Sequence, residues 1–136
     1  MKVYNIYKNK ESGLSKFSDE RGSITDIFFK RNINHGCIIT NEPGAVRGNH
    51  YHNLTTQYTY IISGTLTYYS SFIDSDSSVV TKYDAVAGDM IISEPREIHA
   101  MKSGNTGCVF IAFAEGPRGG EDYETDTVRV HSIINE

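Results

Sequence analysis

An all-β sandwich or barrel is the fold class this sequence predicts, and three observations predict it. Short apolar or alternating runs recur about ten times, each bounded by Gly, Pro, Asn, Asp or Ser, which is the rhythm of a sandwich or barrel rather than of βα repeats. The aromatic residues are nine Tyr and six Phe with no Trp, side chains that pack well on a pleated surface. No stretch shows helical periodicity. At 136 residues the chain has the length of one domain, so residues 1–136 are expected to form a single unit.

Charge and composition narrow the function classes. A net charge of -4 without a basic cluster argues against nucleic acid, which needs a concentrated cationic face. No apolar run is long enough to span a bilayer, and residues 1–10 lack the apolar centre of a secretion signal. The expectation is a cytoplasmic protein with a small-molecule substrate, no nucleic acid and no membrane. In a reducing compartment Cys37 and Cys108 are expected to be buried free thiols that pack like small hydrophobes.

Taken in order, residues 2–7 alternate loosely and read as an edge strand. Residues 19–22 form a turn, and the strand after it puts Ile24, Asp26 and Phe28 on one face and Ile27 and Phe29 on the other, so burial on both sides is expected. Residues 36–40 make a short strand that ends at Pro43-Gly44, where Pro fixes φ and Gly tolerates positive φ. Strand 57–63 is expected to stop at Ser63-Gly64, with a second strand over 65–73. The run DSDSS at 74–78 is a loop, and 79–86 returns as its hairpin partner. Residues 87–89 turn, 90–93 form a buried strand, 98–102 carry His99, 103–107 turn, and 108–114 form an apolar strand. A last alternating strand surrounds Val128 and Val130.

The chemistry gathers at residues 44–64, GAVRGNHYHNLTTQYTYIISG. On a strand, His50 and His52 point the same way and Tyr51 the other. A polar turn at 53–56 follows, and Gln57 opens the next run. A His-x-His pair standing alone on a strand is more often structural or a surface feature than functional. His35 and His131 have no partners in view and read as surface residues.

Gly44, His50, His52 and Gly64 fall on the positions of the first cupin motif, with Gln57 where that motif has Glu. Gly88 and His99 keep the spacing of the second motif, whose interior departs from the pattern at Glu94, Arg96 and Ser103. The chain resembles a single-domain cupin with an RmlC-like jelly-roll β-barrel or sandwich. Within cupins, Asp19-Glu20-Arg21-Gly22 is similar to a segment of the dTDP-4-dehydrorhamnose 3,5-epimerases and of the sugar-nucleotide 3,4-ketoisomerases, and the run from Arg47 through His50 and His52 to Gln57 resembles the ketoisomerase pattern, including its Gln. Asn49-His50-Tyr51-His52 is also similar to the metal-holding cupin domain of capsular-polysaccharide enzymes.

These resemblances imply different uses of the same histidines. As an isomerase or epimerase of a nucleotide-activated 4-keto-deoxysugar, the chain would use His50 as general base and His52 as its relay. A tyrosine hydroxyl from among Tyr58, Tyr60, Tyr68 and Tyr123 would stabilise the enediolate, with Tyr60 the catalytic candidate. Arg47, Arg21, Gln57 and Tyr68 would bind substrate, and no cofactor would be required. As a metal-dependent cupin, it would hold Zn, Fe, Mn or Ni through His50, His52, Gln57 and His99, with the neutral Gln57 holding a cation less tightly than a carboxylate. A third expectation is a non-catalytic sugar-binding cupin that keeps the pocket alone. Cupins of this kind commonly pair, so a homodimer is expected.

Overall fold

The computed structural model of the chain describes residues 1–8, 14–74, 79–117 and 125–135. The strands among them are β1 (Lys2–Asn5), β2 (Lys16–Asp19), β3 (Gly22–Thr25), β4 (His35–Asn41), β5 (Val46–His52), β6 (Thr56–Phe72), β7 (Thr81–Val86), β8 (Asp89–Ser93), β9 (Glu97–Glu115) and β10 (Thr127–Arg129). All pairings between them are antiparallel. The loop expected at 74–78 falls mostly outside the described residues, as does Tyr123.

Two long strands organise the architecture. β6 and β9 run against each other from Thr56↔Glu115 to Phe72↔Glu97. The first half of β6 also pairs with β8, which carries β1 on its far side, and the matching half of β9 pairs with β4. The second half of β6 pairs with β7, and the matching half of β9 pairs with β5, which carries β10. Between the halves the ladder slips at Ile61/Ser63 and at Gly64/Leu66. There the sheet folds over on itself, because residues of both halves meet in one core of Ile61, Leu66, Tyr68, Ala85, Ile91, Met101, Cys108, Phe110 and Ala112. Burying a side chain such as Phe110 fully contributes about 1.5–3 kcal/mol.

The sequence rules divided each long strand in two, and the structure joins them. Ser63-Gly64 is a bend inside β6, and residues 104–107 stand out of the β6 ladder as a bulge within β9. Gly64 has φ +78, and a Cβ there would meet the Gly107 carbonyl oxygen at 2.1 Å. The glycine therefore serves a close crossing of two backbones, not a chain reversal.

The segment after the 19–22 turn also differs from expectation. β3 ends at Thr25 and pairs only with β2 in a separate two-stranded sheet, Phe17 opposite Ile24. Both of those side chains are exposed, so the two-sided burial expected for this strand is not what forms. Beyond it, Ile27, Phe28 and Ile33 cover the outer sheet face, packing on Tyr4, Tyr58 and Met90. Phe28 meets Tyr58 and Phe113 edge-on, with ring centroids 4.9 and 5.0 Å apart. Cys37 is half-buried and Cys108 buried, and both thiols are free. Among the described residues no helix is long and apolar enough to cross a membrane.

Candidate functional site

The site forms where β5 is sandwiched between β9 and β10. β5 breaks its register with β9 between Gly48 and His50, and both Gly48 (φ +89) and Asn49 (φ +57) take left-handed backbone. Asn49 is bulged, which re-aims the strand beyond it. The bulge brings His50 directly across from His99 of β9, while strand alternation keeps His50 and His52 on one face. The centroids of the three rings lie 5.0 Å (His50–His52), 4.7 Å (His50–His99) and 5.4 Å (His52–His99) apart. One nitrogen from each ring falls within 4.8 Å of the others.

Two of the three rings, His50 and His99, line a cavity of about 370 Å³, together with Gln57, Arg47 and Arg129 and with the apolar Ile39, Val46, Met101 and Phe110. That volume lies in the small-molecule range of about 300–1,000 Å³. His50 is half-buried, whereas His52 and His99 are buried.

The candidate residues separate into two groups. Gln57 faces the cavity, and its amide nitrogen donates to Thr59 Oγ1 at 3.1 Å, which fixes the amide plane. Arg47 also lines the cavity, braced by Nε donating to Asn41 Oδ1 at 2.6 Å and Nη2 to the Thr40 carbonyl at 3.1 Å. Arg21 is placed elsewhere, in the β2–β3 hairpin, where it pairs with Asp19. Tyr60 lies on the opposite face of β6, packed with Tyr4, Tyr58 and Met90. Burial, and then Tyr7, raise its hydroxyl above the ordinary tyrosine range. Alternation from Gln57 explains this: Gln57, Thr59 and Ile61 turn inward, so Tyr58 and Tyr60 turn out.

Tyr68 is fully buried and does not line the cavity. Its ring stacks behind His99, with centroids 6.1 Å apart, and its hydroxyl pairs with Ser93 Oγ. Burial is the main cause that pushes this hydroxyl far above the usual range, with Ser93 opposing and Glu97 adding. These placements remove Tyr60 and Tyr68 from direct contact with a molecule in the cavity.

Four residues to which sequence reasoning gave no role in the site surround it. Glu97 is fully buried beside His99 and accepts from Ser70 Oγ at 2.6 Å and from the Glu94 amide at 3.0 Å, and it pairs with the Met1 amino group at 2.8 Å. Asp126 accepts from the Leu54 and Thr55 amides at 2.9 and 3.0 Å and from Thr55 Oγ1 at 2.7 Å, locking the turn between His52 and Gln57. In β10, Thr127 sits opposite His52 and Arg129 opposite His50. The alternation around Val128 and Val130 was the available signal, since the other face of that strand is the one that meets the histidines.

The donor set fits a divalent cation: three imidazoles from adjacent strands, with the Gln57 amide on the same cavity wall, suit a borderline metal that keeps open positions.

No curated protein matches the chain in sequence. Among solved structures, the QdtA 3,4-ketoisomerase from Thermoanaerobacterium thermosaccharolyticum is similar, with TM-score 0.69 at 19% identity over 95% of this chain and 86% of that one. The dTDP-4-dehydrorhamnose 3,5-epimerase from Elizabethkingia anophelis has TM-score 0.70 at 12% identity over 86% and 72% of the two chains. The capsular polysaccharide assembling protein CapF from Staphylococcus aureus has TM-score 0.64 at 20% identity over 88% of this chain and 33% of its own. The fold is thus the cupin-like jelly roll of sugar-nucleotide isomerases and epimerases. The model of the polysaccharide biosynthesis C-terminal domain matches residues 17–115, and the chain belongs to that family.

Proposed function

We propose that the chain isomerises or epimerises a nucleotide-activated 4-keto-deoxysugar by proton transfer at the His50–His52–His99 cluster. The observation that carries this reading is the convergence of three imidazoles, two of which, His50 and His99, line a cavity shared with Arg47 and Arg129. Neutral histidine, with an ordinary pKa of ~6.5, is suited to take a proton α to a ketone. His50 removes that proton and negative charge gathers on the carbonyl oxygen; return of a proton to the opposite face of the same carbon gives the epimer, whereas passage of the neighbouring hydroxyl's proton to that oxygen and protonation of the former carbonyl carbon gives the isomer. The apolar wall at Ile39, Val46, Met101 and Phe110 gives an uncharged sugar or base a dry surface, and the two guanidiniums favour an anionic diphosphate. A similarly folded ketoisomerase has been solved in complex with TDP-4-keto-6-deoxyglucose, which supports the substrate class.

The compactness of the cluster favours a second reading. His50, His52 and His99, with the Gln57 carbonyl oxygen, would hold a divalent ion, and such an ion when bound polarises a substrate carbonyl as a Lewis acid. In that case the chain's own residues orient the substrate through Arg47 and Arg129.

Incubation with dTDP-4-keto-6-deoxyglucose in deuterated water tests the first reading. Solvent deuterium is expected by mass spectrometry at C4 if the chain isomerises and at C3 or C5 if it epimerises, and His50→Asn is expected to lower its incorporation by about 100-fold or more. No incorporation into any 4-keto sugar nucleotide would end the proposal. Elemental analysis of protein purified without chelator separates the two readings. Near-stoichiometric metal that falls in a His99→Ala variant selects the second, whereas chelator-insensitive exchange in metal-free protein selects the first.

A further inference from the structure

The geometry points to Thr127 as a positioning residue that sets the tautomer of His52. Its Oγ1 lies 3.2 Å from His52 Nδ1 in a buried contact. The order of strands is β9, β5, β10, so the strand of His50 and His52 lies between β9, which carries His99, and β10. With Nδ1 engaged by β10, the other ring nitrogen, Nε2, is assigned as the one that serves the cluster, in which one nitrogen of each ring lies within 4.8 Å of the others.

For His52 to accept a proton or bind a cation, that Nε2 must carry the lone pair, and the ring hydrogen must then sit on Nδ1. Thr127 Oγ1 accordingly accepts a hydrogen bond from Nδ1–H. A hydroxyl can take either role, so the selection depends on how firmly the threonine is held.

It is held from both ends. On one side Asp126 takes three hydrogen bonds from Leu54 and Thr55, and its carbonyl accepts from the Asn53 amide at 3.1 Å. On the other, the Val130 amide donates to the Asn49 carbonyl and the Ile133 amide to Asn49 Oδ1, both at 2.9 Å. The segment from 126 to 133 thus straps the whole histidine strand, from the bulge at Asn49 to the turn after His52. A partner held this way orients an imidazole as an outer-shell group orients a ligand or base.

The inference rests on His52 working through Nε2, as relay or as ligand, which is common to both readings above. Two-bond ¹⁵N–¹H correlation spectra of the imidazoles test it at about pH 8.5, well above the ordinary histidine value, in protein dialysed against chelator so that no metal fixes the ring. The wild type is expected to show a single Nδ1–H tautomer for His52. Thr127→Val is expected to lose that single pattern and to lower solvent exchange into the sugar by about 10- to 100-fold, and Thr127→Ser is expected to restore both. An Nε2–H tautomer in the wild type, or an unchanged pattern in Thr127→Val, overturns the assignment. If Thr127→Val does not fold, the wild-type spectrum and its persistence in Thr127→Ser decide alone. The expected tautomer without any sugar exchange removes the isomerase reading and leaves this assignment standing.

Discussion

At the scale of single residues, the group beside the histidines on the cavity wall is a neutral amide rather than a carboxylate. Gln57 shares the cavity wall with His50 and His99. Replacing it by Glu places a unit charge beside the cluster. Opposite charges about 4 Å apart attract by several kcal/mol even at an effective dielectric near 20. Gln57→Glu is therefore expected to tighten Zn²⁺ binding by at least about tenfold, or ~1.4 kcal/mol, in a chelator-competition titration. Unchanged or weaker affinity would place Gln57 outside the donor set. Tyr68 shows how residue identity misleads without depth: a phenol suited to hydrogen-bond a sugar is instead a packing plate behind His99, with its hydroxyl satisfied inside the protein.

At the scale of elements, the bulge in β5 turns a strand into a site. Gly48 occupies left-handed backbone, and a Cβ there would meet the His99 carbonyl oxygen at 2.6 Å and the Ala100 Cα at 3.0 Å. Gly48→Ala combines a strained dihedral with a clash against backbone that cannot swing aside. A loss of about 1–3 kcal/mol is expected in chemical denaturation, accompanied by separation of His50 from His99 and loss of activity beyond what the stability change explains. A variant as stable and active as the wild type would show that the close approach is dispensable. The bulge and its neighbours were only partly legible in the sequence. Gly48 next to a His-x-His pair marks an irregularity, but the strap from β10 comes from about 75 residues away in sequence, and no local rule pairs the two.

At the scale of the whole molecule, a half-buried phenol and a buried thiol make the fold sensitive to alkali. Burial, and then the hydrogen bond to Asp89, push Tyr83 up to about 12, and burial pushes the Cys108 thiol up to about 11. Both groups are held neutral in the fold and ionise more readily once unfolded. Their contribution to stability is present in full below the ordinary values of about 9 for the thiol and about 10 for the phenol. It is lost as pH rises through about 11 and 12 respectively. Thermal midpoints are expected to fall across that range, and Tyr83→Phe to flatten the upper part of the fall. An identical slope in Tyr83→Phe would remove Tyr83 from the cause.

What the sequence by itself determined is the alternation. Period-two patterning and turn residues specify strands, faces and the shared direction of His50 and His52, because each depends on neighbours a few positions away. Spacing within the two motifs was enough to nominate His99 as the third imidazole. Only the tertiary structure decided that Tyr60 faces the outer layer, that Arg21 stands in a separate hairpin while Arg129 joins the cavity, and that two pairs of expected strands are two continuous ones. Those outcomes depend on register between β5, β9 and β10 and on where the sheet folds over at Gly64 and Gly107. Register is set by long-range packing and by the close approach of backbones, and neither is encoded in any local pattern of side chains.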